Sequence, residues 1–255
     1  MERSGRPALA TFHAPALDGA SVSLGEEAAH HARVRRLAAG ERVRLTDGAG
    51  ALGEGEILRL SKSALEIRLD AATVHRIPPP APVHLLVPVA DRERMLWLAE
   101  KAAELAVTSW TPVRYARSRS VSPRGEGPAF ADKVRRRMVA ALEQSAGAWL
   151  PAIETELEAG EAPARFGDCL RLLLDAAGEA ALSALSTVDH TGVAVALGPE
   201  GGLEEAEADA YRDAGWRAAT LAPTVLRFET AAVAAVAVAR AALMSREPVR
   251  PPAPR

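Results

Sequence analysis

The sequence predicts an α/β protein in two parts: a small β-barrel carrying one helix, then a larger parallel sheet covered by helices. Three observations carry this. The run "RIPPPAPV" places prolines at 78, 79, 80 and 82, too stiff and too poor in backbone donors for the interior of an element. Before it, apolar and polar residues alternate over short runs, the period of half-buried strands. After it, compact apolar runs alternate with helical stretches, the pattern of a parallel sheet with crossover helices. At 255 residues, 48% of them hydrophobic, the chain is long enough to bury a sizeable core. The expected boundaries are 1–77 for the barrel, 78–248 for the α/β domain and 249–255 for a disordered tail, within "EPVRPPAPR".

In the first part, "ERVRLTDG" reads as a strand with Val43 and Leu45 on one face, and "GEGEILRL" and "SALEIRL" as two more. Asp47-Gly48 is a hairpin-type turn signal. The helix "GEEAAHHARVRRLAAG" is expected to end at Gly40. In the second part, "VHLLVPV" is a buried-type strand, followed by a helix over 91–107, the strand "WTPVRY" and a helix near 132–146. The strands "LRLLLDA" and "GVAVALG", the helix "LEEAEADAYRDAG", the strand "RAATLA" and a final helix over 226–244 complete the order. Ligands in such sheets bind at the carboxyl ends of strands, which singles out the turns after Leu197 and Leu221.

Composition narrows the function. The single Cys169 excludes an internal disulfide and a multi-cysteine zinc site, and no carboxylate cluster has ligand spacing, so no metal is expected. The polar, Arg-bearing start lacks the apolar core of a signal peptide, and the Ala-rich run 230–244 is too short and polar for a membrane span. A cytoplasmic protein is the expectation. The net charge of −2 hides a gradient: +1 over 1–80, +4 over 81–150 and −7 over 151–255. Its basic residues are nearly all Arg, which suits phosphate and base contacts and equally a GC-rich genome.

The turn "ALGPEGG" matches neither the dinucleotide pattern G-x-G-x-x-G nor the P-loop pattern, and Glu200 would repel a phosphate. It suits backbone approach to a ligand that is not mainly anionic. Equally, it is a strand-to-helix turn with a carboxylate near a helix N-terminus. Together with "LAPTVLRFETA" it resembles the two closing motifs of the RsmE-like ribosomal RNA methyltransferases, a branch of the SPOUT class. The first, G-P-E-G-G, is complete at Gly198, Pro199, Glu200, Gly201 and Gly202. The second, L-G-x-R-I-L-R-x-E-T-A, is matched at Leu221, Leu226, Arg227, Glu229, Thr230 and Ala231, with Val225 a close substitute. Further matches in order are His30, Arg33, Val34, Arg36, Gly40, Asp47, Gly48, Met95, Trp97, Lys101, Glu104, Leu105, Val107, Pro112 and Glu143-Gln144.

The resemblance implies a PUA-like β-barrel followed by a SPOUT-like α/β domain with a C-terminal trefoil knot, which periodicity alone would not suggest. It implies S-adenosylmethionine (SAM) as methyl donor, a homodimer through the knot and last helix, and N3 of a uridine in small-subunit (16S) ribosomal RNA as acceptor. The cofactor residues it implies are Gly198, Pro199, Glu200, Gly201, Gly202, Val225 and Thr230, with Leu174, Leu197, Leu221 and Leu226 as apolar walls. Methyl transfer to a ring nitrogen needs alignment, loss of the N3 proton and stabilisation of the resulting charge. Arg227 is the candidate for that stabilisation, with Glu229 orienting it or its loop; a structural pairing with Glu229 or a phosphate contact accounts for Arg227 equally. Arg33, Arg35, Arg36, Arg114, Arg117 and Arg119, with Arg42 and Arg44, are the RNA-contact candidates. The chain departs from the family at Asp91-Arg92 (Lys-Gly), Ala106 (Gly), Gly147 (Arg), Ala222 (Gly) and Thr224 (Arg), and Asp175 falls near a frequent His. Two functions follow: an active methyltransferase, or a catalytically degenerate RNA-binding protein of the same fold acting in ribosome assembly.

Overall fold

The computed structural model describes residues 9–120, 123–186 and 191–245, without the side chains of 119, 120 and 186. The expected tail lies outside them. The chain divides into two compact units, Met1–Pro79 with Val139–Leu150, and Pro80–Met138 with Pro151–Arg255. The sequence reading leaves residues 139–150 in the second domain; here they belong to the first unit.

The first unit contains strands β1 (Thr11–His13), β2 (Ser21–Leu24), β3 (Arg42–Thr46), β4 (Ala51–Leu60) and β5 (Leu65–Arg76), with helix α1 (Glu26–Val34). They form a five-stranded sheet in the order β1-β3-β4-β5-β2, where β1 runs parallel to β3 and the other pairs are antiparallel. Alternation works as expected: Val43, Leu45, Ile57, Leu65 and Ile67 are fully buried with Phe12. Register shifts between β4 and β5 curl the sheet into a PUA-like half-barrel. The strands β1 and β2, too short for a periodic signal, were not anticipated. Helix α1 ends earlier than expected: Leu37 N–H donates to Ala32 O at 2.9 Å, and Arg36 takes the left-handed position at φ 59°. Gly40, at φ 90°, belongs to the turn beyond. In the same unit Glu143 accepts from His13 N–H at 2.8 Å and lies 3.2 Å from His31 Nδ1, its carboxyl pushed up by burial.

The second unit contains β6 (Val83–Pro88), β7 (Ser109–Arg114), β8 (Ala152–Ile153), β9 (Leu157–Glu158), β10 (Leu170–Ala180), β11 (Val193–Ala196) and β12 (Arg217–Thr220). Its helices are α2 (Arg92–Glu104), the first part of α3 (Pro128–Ser145), α4 (Ala181–Ser186), α5 (Glu205–Asp213) and α6 (Phe228–Met244). The sheet order is β12-β10-β11-β6-β7-β8, with β9 beside β7 and every pair parallel. All carboxyl ends therefore share one edge. From β6 the chain moves to β7 on one side, while β11 lies against its other side; the crevice between diverging connections is where α/β sheets take ligands. Strands buried on both faces explain the unbroken apolar runs: Leu85, Leu86, Val87 and all of β11 are inaccessible to solvent or nearly so. Helix α6, expected to be buried nearly all round, buries one face through Ala232, Ala235, Val236, Ala239 and Leu243, at helical spacing. Its Arg240 donates to Leu105 O and Ala106 O, closing the C-terminal end of α2 where Ala106 takes φ 53°. Among the described residues no helix is long and apolar enough to cross a membrane.

Candidate functional site

The loops carrying the two motifs leave the carboxyl ends of β11 and β12. Leu197 and Pro199 are buried, Glu200, Gly201 and Gly202 exposed. Gly202 takes φ 74°, which favours glycine, and its N–H donates to Pro199 O at 2.8 Å, closing the turn. Gly198 and Gly201 are constrained by packing: an added Cβ would lie 3.2 Å from Leu203 Cγ or 3.3 Å from Arg117 Cβ. Beyond the turn Glu204 and Glu207 form a reciprocal capping box that starts α5. In the second loop Leu221 and Leu226 are half-buried, as is Leu174 on β10, while Thr224, Val225, Arg227 and Thr230 are exposed.

Two arginines brace these loops from neighbouring strand ends. Arg117, in the short 3-10 turn Ala116–Ser120 after β7, donates through Nη1 to Gly201 O at 2.7 Å. Next to it, Ala116 N–H donates to Glu207 Oε1 at 2.8 Å, and Tyr115 and Tyr211 share a buried hydroxyl hydrogen bond of 2.6 Å. Burial pushes both phenols up. Arg94, in the first turn of α2, lies with Nη1 3.5 Å from Glu200 Oε1 and Nε 3.9 Å from Glu229 Oε1. A single side chain thus faces an acidic residue of each motif. Glu229, in the first turn of α6, is 9% exposed, and among the described residues its Oε2 has no hydrogen-bond partner. Its surroundings are the N-terminal turn of α6 and the Arg94 guanidinium.

The residues expected to hold the cofactor and to act on the base lie on β10, on the loops after β11 and β12 and at the start of α6 in the second unit, with relations that differ from the expectation. Glu229 does not form a salt bridge with Arg227; its cationic neighbour is Arg94. Arg227 begins α6 as its N-cap, and among the described residues its guanidinium has no hydrogen bond or ion pair. Arg114 is engaged by Glu126, Glu156 and Glu158, which leaves it poorly placed to hold phosphate. Arg117 holds the Gly201 turn, and the side chain of Arg119 lies outside the described residues. In the first unit Arg33 donates to Ser61 O and Lys62 O, Arg42 pairs with Glu54 and Asp70, and Arg35 and Arg36 are exposed. Sequence reasoning missed Arg94: its partners lie 106 and 135 positions away, and only its place after a buried strand end marked it.

Two families of known proteins match the chain. Residues 78–240 match the RNA methyltransferase domain family, and residues 24–70 the RNA methyltransferase PUA domain. The chain is 30% identical to ribosomal RNA small subunit methyltransferase E of Mycobacterium tuberculosis, covering 87% of this chain and 86% of that one. It resembles the Neisseria gonorrhoeae ribosomal RNA small subunit methyltransferase E solved with S-adenosyl methionine: TM-score 0.77, 25% identity, 90% of this chain and 96% of that one. A Legionella pneumophila protein solved with bound SAM is similar at TM-score 0.80 and 26% identity, covering 92% and 98%.

Proposed function

This chain belongs to the RsmE family of RNA methyltransferases, and on that premise we propose that it uses SAM to methylate N3 of a uridine in small-subunit (16S) ribosomal RNA. The observation that carries the reading is that both motif loops leave the same edge of the sheet, from β11 and β12 on either side of β10, with Arg94 facing a carboxylate of each motif. The residues fit the cofactor. Exposed backbone at Gly201 and Gly202 suits an uncharged purine edge, and half-buried Leu174, Leu221 and Leu226 suit its apolar faces. When bound, SAM supplies a methyl group activated by its sulfonium.

The chain's own contributions are alignment and charge. The loops 198–202 and 221–227 fix the donor side of the site, and braced loops hold a reactive geometry better than free ones. In this reading Arg227 stabilises negative charge on the base once N3–H has lost its proton; its exposure and its lack of a carboxylate partner among the described residues support the role. Arg33, Arg35 and Arg36 on the first unit supply backbone contacts to RNA. A homodimer through the C-terminal helix, a trefoil knot in the second domain and a cytoplasmic setting belong to the same reading. The exposed apolar side chains of Val225, at 86%, and Met244, at 64%, support the dimer. Calorimetric titration with SAM tests the cofactor assignment: saturable binding is expected, and its absence from a folded protein overturns the reading.

A further inference from the structure

Arg94 sits where three segments meet. Met95, its neighbour, is fully buried and its Sδ lies 3.3 Å from Ala90 N, so the first turn of α2 is anchored at the end of β6. Asp91, one of the departures from the family, is the N-cap of this helix, and Arg94 N–H donates to its Oδ1 at 3.0 Å. The backbone of Arg94 is thereby held on both sides, and its side chain, 34% exposed, reaches Glu200 and Glu229. Neither separation, 3.5 Å or 3.9 Å, is a tight charge-assisted bond. The guanidinium is shared between Glu200 in the first motif's turn and Glu229 in the first turn of α6, and among the described residues nothing donates to the buried Glu229 Oε2.

From this geometry we infer that Arg94 is a positioning residue: it sets the separation of the 198–202 and 221–227 loops, and Asp91 sets Arg94. Without a cation between them, Glu200 and Glu229 would repel one another, and Glu229 would be left buried with no counter-charge. The loops would then part, with SAM affinity lost before the chemistry is touched. The inference rests on the SAM reading above. It also gives a use to Asp91, which would otherwise stand only as a lost lysine.

The test is a double-mutant cycle on SAM affinity in the full chain, using Arg94→Met, Glu200→Gln and both together, with Arg94→Lys as the conservative variant. Arg94→Met is expected to raise Kd and the KM for SAM about tenfold while kcat changes by less than about threefold. Arg94→Lys is expected to recover most of the loss, and the double variant to bind no worse than the weaker single one. A merely structural arginine would shift the melting temperature without this KM-against-kcat split. Arg94→Met binding SAM as the wild type does, or losses that simply multiply in the double variant, would overturn the inference while leaving the cofactor reading intact. If Arg94→Met does not fold, the Lys and Gln variants decide by the same criteria. A wild-type protein that binds no SAM removes the cofactor reading and this inference with it.

Discussion

Gly178→Ala is the sharpest test of how the sheet positions the second loop. Gly178 lies on β10 beside β12, next to a register shift between Leu174 and Glu179. A Cβ there would stand 2.4 Å from Ala219 N, 2.5 Å from Ala218 C and 2.7 Å from Ala218 O. All three are backbone atoms, so no rotamer change relieves the clash. Restoring contact at about 3.5 Å moves β12 by roughly 1 Å. Overpacking of this kind costs about 2–3 kcal/mol. In a chain of this size that corresponds to a melting temperature lower by about 5–10 °C. Because β12 leads straight into residues 221–227, SAM affinity should fall as well. Scanning calorimetry with Gly160→Ala as control checks this, since nothing lies within 4 Å of a Cβ at Gly160. Gly178→Ala melting together with Gly160→Ala would refute the reasoning.

Ala106→Gly is expected to stabilise the protein by about 0.5–1 kcal/mol, because a left-handed position at φ 53° is strained with a side chain; a urea midpoint below wild type contradicts it. Arg227→Ala should keep SAM affinity within about twofold and lose about 10²-fold in turnover, whereas full turnover removes its catalytic role. Tyr115 and Tyr211 have folded pKa values above the ordinary 10.0, chiefly through burial. Their contribution to stability is complete below pH 10.0 and is lost as pH rises toward the folded values. Urea unfolding between about pH 9 and pH 11 should show that decline, and replacing both tyrosines by Phe should flatten it; an unchanged slope contradicts the assignment.

The alternation of strands and helices after the proline run was legible because doubly buried strands read as unbroken apolar runs. The turns after Leu197 and Leu221 were legible because a parallel sheet places its ligands at strand ends. What stayed hidden was mostly long-range or chemically unsigned. The end of α1 at Val34, closed by a left-handed Arg36 instead of Gly40, reflects a closure any residue can take at a cost, so glycine is a misleading marker. Helix α3 begins at Pro128, before the expected start near 132, since proline is favoured in a first turn where its missing N–H has no partner to lose. Strand β10 runs on to Ala180 because Gly178 lets it press against β12. Charge roles were least legible: nothing in the sequence tells that Arg114 is held by three carboxylates while Arg227 is not, or that Arg94 joins the two motifs.

Transfer of labelled methyl from SAM to small ribosomal subunits isolated from cells lacking this protein tests the central claim most directly. Incorporation at a single position, recovered as 3-methyluridine after digestion, is the predicted result. It would show that the Thr224 and Gly147 departures leave catalysis intact. No incorporation by a folded protein that binds SAM would contradict the account and point to another RNA substrate, and no SAM binding either would favour the degenerate RNA-binding alternative.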